Sequence, residues 1–192
     1  ADFLSAQDPH AIDPQKAACR YVDPDREVPD VEAALGGAMD ILAERLSDDA
    51  KLRSRLRLLF HKNGILHSEA AGEEDSVYRL YYDFSQPLAA LPGHRILAIN
   101  RGEREGFLKV KIELAEPLAL DILFRYLLKG EGPTTYYLKA MCEDSYKRLI
   151  FPSLEREMRT ELTDRANEQA IRTFGLNLRP LLMQPPLKGK VV

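Results

Sequence analysis

"PSLEREMRTELTDRANEQAIRTFGLNLRPLLM", residues 152 to 183, decides the fold class. Leu154, Met158, Leu162, Ala166, Ala170, Phe174, Leu178 and Leu181 recur every three or four residues, the period of one face of an α-helix. Pro152 suits a first helical turn, where a missing N–H costs nothing, while Pro180 should kink the last turn and Pro185-Pro186 should end it. Glu155–Arg159, Glu161–Arg165 and Glu168–Arg172 each place Glu four residues before Arg, the supportive orientation, which predicts a solvated face. A helix this long predicts a mainly α protein, a multi-helix scaffold with at most one small β element.

The segments before it agree. Asp30 precedes a three-to-four periodicity through Val31, Ala34, Leu35, Ala38, Ile41, Leu42 and Leu46, and its carboxylate suits the free N–H groups of a helix start. Gly36 and Gly37 lower that helix's propensity, which predicts a neighbour packed close against them. Ser47 is placed to cap the next helix, 48 to 63, which stops at Gly64. "EEDSVYRLYYDFSQP" puts Val77, Leu80, Tyr81 and Phe84 on one helical face, with Tyr78 and Tyr82 beside it. "HRILAINRGEREG", 94 to 106, predicts a helix to about Glu105 and a turn at Gly106. "FLKVKIEL" then alternates Leu108, Val110, Ile112 and Leu114 with charged residues, the best strand signal in the chain. A lone strand leaves its backbone groups unpaired, so it should pair with the weaker 65 to 70 run or with a segment outside this chain. Two more helices follow, one from Glu116 through Leu120, Leu123 and Leu127, one capped by Thr134.

The 192 residues are 45% hydrophobic and 30% charged, which suits one substantial core or two small ones. No apolar run approaches the roughly 20 residues of a membrane span, and the first residues lack a secretory layout, so the expected location is the cytoplasm. Cys19 and Cys142 stand alone and are expected to be buried apolar residues, not metal ligands. No metal or cofactor is expected. A net charge of −3 argues against wholesale electrostatic binding of nucleic acid, which leaves a local basic face.

Two places could form such a face. In the 48 to 63 helix, Lys51, Arg55 and Lys62 flank one edge of the Leu52, Leu56, Leu59, Phe60 stripe, and Arg53 and Arg57 the other. Long basic stems at stripe edges also serve simply to cover apolar surface. In 94 to 106, Arg95 and Arg101 could fork phosphates, or could lock a helix–strand corner together with His94, Gly102 and Gly106. Enzyme signatures are missing: no phosphate loop, no nucleophile elbow and no paired histidines, with His10, His61, His67 and His94 scattered. Glu73, Glu74 and Asp75 are explained by the dipole of a following helix. The chain is expected not to be an enzyme; a nuclease-like activity would need carboxylates converging on a divalent metal.

"LPGHRILAINRGEREGFLKVKIE", "EDSYKRLIFPSLEREMRTELTDRANEQAIRTFGLNLRPLLMQPPLKGKVV" and "YVDPDREVPDVEAALGGAMDILAERL" together resemble the bacterial Tex family of transcription accessory proteins, over essentially the whole chain. The resemblance implies a multidomain protein in which a helical region precedes an RNase H-like domain, helix-hairpin-helix elements and a C-terminal OB-fold RNA-binding domain. Residues 1–186 would be that helical region, with a possible sub-boundary near 64–92. Residues 187–192 would begin the RNase H-like domain's opening strand, so the chain reads as a piece of something longer. The implied partners are RNA or DNA, bound mainly by other domains, the downstream domains themselves, and the transcription machinery, which a protein-interaction surface on the long helix or at Tyr78–Tyr82 would dock. No catalytic residues carry over. Gly175 and Pro180 depart from the helix formers expected of relatives and put the straightness of the last turns in doubt.

Overall fold

Asp30 starts the first long helix as its chemistry requires: its carboxylate accepts from the N–H of Ala33 at 2.8 Å. In the computed structural model, which describes residues 1–72 and 76–184, two short helices come first, α1 (Asp2–Ala6) and α2 (Pro14–Ala18), then α3 (Val31–Ser47) and α4 (Ala50–Asn63). Strand β1 (Ile65–Ala70) and β2 (Asp83–Pro87) are followed by α5 (Gly93–Arg104), β3 (Leu108–Glu113), α6 (Glu116–Leu127), α7 (Thr135–Ser145) and α8 (Phe151–Leu182). The protein is mainly helical with one small antiparallel sheet of order β2-β1-β3. The charged trio Glu73, Glu74, Asp75 and the segment from Pro185 onward lie outside the described residues.

The chain forms two compact units. Residues 1–65 and 112–157 make the first, in which Leu42, Ala43 and Leu46 of α3 pack with α7. Ser145 satisfies its buried hydroxyl there by donating to the carbonyl of Ala43 at 3.0 Å. Leu52, Leu56 and Phe60 turn the apolar edge of α4 inward, with Ala119 and Leu123 of α6 buried in the same unit. Residues 66–111 and those from Met158 onward make the second, built on the sheet, α5 and the buried Met158, Leu162 and Ala166 of α8. In β3 Leu108 and Ile112 are buried and Lys109, Lys111 and Glu113 exposed, the alternation its sequence carries. Its partner is β1, one of the two candidates the alternation left open.

Several expectations need correction. The stretch 77–84 is not a helix: a short 3-10 turn, Arg79–Tyr81, leads into β2, and Val77 and Leu80 are exposed. Pairing with β1, including Ala70 N–H to the carbonyl of Tyr82 at 3.1 Å, overrides the helical period. Tyr78 is buried, so a Tyr78–Tyr82 docking surface loses its first member. Ser47 ends α3; the cap of α4 is Asp49, which accepts from Lys51 and Leu52 N–H groups at 2.9 Å each. Thr134 stands at the N-cap of α7 but makes no capping bond.

Pro152 does not open a separate helix. Residues 135–182 run as one helical course through a π-helical turn, Tyr146–Ile150, closed by Phe151 N–H donating to Tyr146. A wider turn just upstream relieves the clash and missing donor that proline brings to a helix interior. The apolar stripe of α8 is buried only as far as Ala166; Ala170, Ile171, Phe174, Leu178 and Leu181 are exposed. Cys142 is buried, and burial pushes its thiol up to about 12, but Cys19 is exposed and not the packed residue expected.

Among the described residues nothing packs against Gly36 or Gly37: a methyl at either would meet none of their atoms within 4 Å. Gly36→Ala and Gly37→Ala are therefore each expected to stabilise the protein, by up to about 1 kcal/mol through helix propensity. A melting curve checks this, as a rise in Tm for each variant.

Candidate functional site

The basic edge of α4 is built by a helix whose apolar stripe fixes which way its arginines leave. Arg53, on one side, donates to Glu157 at 3.1 Å, to Ser153 Oγ at 3.1 Å and to the carbonyl of Ser47 at 3.3 Å. Arg57, one turn on, also pairs with Glu157. Both Arg53 and Glu157 are only 29% exposed, so this cluster stands in a medium where charge pairing is worth more than on an open surface. On the other edge Arg55 lies over the Tyr126 ring at 5.3 Å, a cation–π contact. Lys51 and Lys62 are exposed.

Asp49 ties the start of this helix to α6, because its second oxygen accepts from Tyr126 Oη at 2.7 Å. The Leu52 N–H, then the Tyr126 hydroxyl, hold its carboxyl below the ordinary carboxylate value. A lowered folded value means the stabilisation is present at pH above the unfolded value and is lost as pH falls through the folded one. Asp49→Ala should cost about 1 kcal/mol at neutral pH, the usual scale for a lost cap. The gap between variant and parent in urea unfolding should close as the solution is acidified.

In the second unit the corner between α5 and β3 is closed by packing and by two acids. A methyl on Gly102 would lie 2.6 Å from Leu108 Cδ1 and 3.0 Å from Tyr78 Cγ, so only glycine lets these side chains approach. Gly106 takes φ +82, the left-handed turn that glycine favours. Tyr78 donates to Glu105 at 2.7 Å, and Arg159 of α8 holds Glu103 and donates to the Val110 carbonyl at 3.2 Å.

Two glycines shape this corner, while the cations of 94 to 106 face other partners. Arg95 donates to Gln86 at 2.8 Å and lies over Phe84. Arg101 meets Glu105 at 3.5 Å in an exposed pair, and His94 is exposed. An exposed pair contributes little to stability, so Arg101→Ala should cost no more than a few tenths of a kcal/mol.

Sequence reasoning missed the acids and α8 residues that complete these clusters. Glu155 accepts from Ile112 N–H at 2.9 Å and Arg159 binds Glu103, so neither is given to the helix-surface pair expected from their spacing. It also missed a polar cavity of about 460 Å³ lined by Leu97, Ala98, Asn100, Arg101, Arg104, Thr163 and Asn167. The signal was available: Arg101 and Arg104 are three apart, Thr163 and Asn167 four apart, each a single helix face. In the first unit a groove of about 480 Å³ is lined mainly by small apolar residues, among them Ala17, Ala34 and Ala38. Among the described residues no group of His, Cys, Asp or Glu is placed to hold a metal, and no helix is long and apolar enough to cross a membrane.

Comparison with known proteins bears on the whole chain. The family described as Tex central region-like matches residues 9–174. The chain is 41% identical to the protein YdcI of Bacillus subtilis, with all of this chain and 27% of that protein covered. It is 33% identical to Protein tex of Bordetella pertussis, over all of this chain and 26% of that protein. It is 32% identical to the transcriptional accessory protein Tex of Neisseria gonorrhoeae, over 97% of this chain and 25% of that protein. The chain therefore spans only about a quarter of the length of these relatives.

Proposed function

Because the chain belongs to the Tex central region-like family, we propose that it is a non-catalytic helical scaffold of a Tex-like transcription accessory protein, the whole of which binds RNA or DNA in transcription regulation. The observation that carries this reading is where the charges of α8 go. Glu157 takes Arg53 and Arg57 in the first unit, and two residues later Arg159 takes Glu103 in the second. One helix so contributes a partly enclosed ion cluster to each unit. Arg53 and Arg57, which looked available for phosphate contact, are committed to holding α4 to the segment that carries Glu157.

The test is made in a longer Tex-type protein that carries this segment. Glu157→Ala should lower its Tm, since two guanidinium groups are left without a partly enclosed partner. At temperatures where the variant stays folded, RNA and DNA affinity should stay within about twofold, as distant sites without shared partners act independently. An unchanged Tm, or weakened affinity in the folded variant, counts against a scaffold.

A second reading, docking of the transcription machinery, is favoured by one feature. Ile171, Phe174 and Leu181 are each more than 60% exposed on the last turns of α8, more apolar surface than a soluble helix end usually shows.

A further inference from the structure

The polar cavity of the second unit has a composition that the scaffold reading does not use. Its walls come from two helices. Asn100, Arg101 and Arg104 stand on α5, Thr163 and Asn167 on α8, and Leu97 with Ala98 gives it an apolar patch. No carboxylate is among the described residues that line it.

The wall is held in place by a relay of hydrogen bonds. Asn100 Nδ2 donates to Thr163 Oγ1 at 2.8 Å, and the Thr163 hydroxyl donates to the carbonyl of Arg159 at 2.8 Å. These bonds fix two of the polar groups and leave the cations. Arg101 meets Glu105 through Nε at a loose 3.5 Å, while the other Glu105 oxygen accepts the Tyr78 hydroxyl at 2.7 Å. Arg104 has no ion-pair partner among the described residues. A guanidinium carries five N–H donors, so the two arginines bring a surplus of donors to a wall whose described residues offer them no carboxylate.

Such a wall suits an oxyanion. A carboxylate, with two oxygens, is satisfied by one guanidinium fork; a phosphate has enough oxygens to be shared by two. The cavity is also within the size range of small-molecule sites and larger than a bare phosphate needs, and Leu97 and Ala98 offer apolar contact for an attached sugar. Asp164 and Glu168 neighbour Thr163 and Asn167 in sequence but do not line the cavity; their field opposes an anion and makes binding sensitive to the placement of the arginines.

We propose that the cavity walled by Asn100, Arg101, Arg104, Thr163 and Asn167 binds a phosphate ester. Arg101 and Arg104 fork its oxygens, Asn167 adds an amide donor, and the Asn100–Thr163 pair sets the wall against which it sits. The proposal deepens the nucleic-acid reading above and rests on it only for the idea that the ester belongs to a polynucleotide. A backbone phosphate and a free nucleotide present the same chemistry.

The experiment uses the whole chain, titrated at low salt into fluorescein-labelled oligouridylate and, by calorimetry, with uridine monophosphate. Arg104→Glu is the test variant. Lys129→Glu, an equal charge change on an exposed residue of the first unit, is the control. Arg104→Glu should keep the parent Tm, since that side chain makes no ion pair among the described residues, and should weaken binding at least about tenfold. Its slope of log affinity against log salt should be shallower by about 0.7 for each single-strand phosphate that the variant no longer neutralises. Lys129→Glu should stay within about twofold of the parent.

Loss of oligouridylate binding without calorimetric binding of the monophosphate assigns the site to a polynucleotide backbone. Binding of the monophosphate, weakened equally by Arg104→Glu, assigns it to a free phosphate ester. The proposal is overturned if neither probe binds the parent at low salt, or if both variants weaken binding alike. Those failures leave Tm untouched, whereas failure of the scaffold reading is seen with Glu157→Ala.

Discussion

Phe60→Ala is expected to lower the unfolding free energy by about 3–5 kcal/mol, the usual cost of emptying a buried aromatic site. Phe60 has no exposed surface, and its ring centroid lies 5.6 Å from that of Phe151, which in turn stands 5.7 Å from Tyr146. The truncation therefore removes one end of an aromatic row that joins α4 to the π-helical turn and the start of α8. Collapse into the gap is resisted from both sides. The remaining members sit on one helical course, and Phe60's own carbonyl accepts from Gly64 N–H at 2.7 Å, which pins the end of α4. Urea unfolding of parent, Phe60→Leu and Phe60→Ala measures the effect. Leu keeps much of the volume and should cost markedly less. A drop under 1 kcal/mol for Ala would show that the row is not a stabilising element.

Arg159→Ala should cost about 2–3 kcal/mol, on the scale of hydrogen bonds to charged groups. The guanidinium is 25% exposed and Glu103 34% exposed, so removing the cation strands a carboxylate that water reaches only in part. The Val110 carbonyl is deprived of a donor as well. Arg159→Met separates the two contributions: its stem restores apolar cover, so whatever deficit remains belongs to the charge and the hydrogen bonds. Equal stability of the Met variant and the parent would assign the residue's role to packing alone.

The two halves of the long-helix reading fared differently for a physical reason. Periodicity reports which residues share a face, and Leu154, Met158, Leu162 and Ala166 share one that is buried. It says nothing about where a covering partner stops, so Phe174, Leu178 and Leu181 continue the stripe yet are exposed. Near Pro152 the local rule of a fresh helix start competed with continuation through a π turn. Packing of Tyr146, Ile150 and Leu154, all buried, favours one continuous course. The stretch 77–84 is a sharper case: its apolar spacing fits a helix, but a short 3-10 turn, Arg79–Tyr81, leads it into β2, which pairs with β1, and it is Tyr78 that turns inward, not Val77 or Leu80.

For the charged residues, spacing along one helix placed each cation on an edge and could not show what faced it. Arg53 and Arg57 meet an acid a hundred residues later; Arg101 and Arg104 have no such acid among the described residues of the cavity they line. That difference separates a structural cluster from a candidate ligand site, and no feature of "KLRSRLRLLF" or "NRGERE" distinguishes them. By itself the sequence determined the mainly helical class, the helix start at Asp30, the alternation of β3, the close approach at Gly102, the turn at Gly106 and the family, because each rests on local backbone chemistry or on an ordered run of residues. Only the tertiary structure decided the partners of the arginines, the course through Pro152, the strand at 83–87 and the polar cavity. Each of these depends on groups far apart in the chain, whose meeting is set by which apolar faces bury one another.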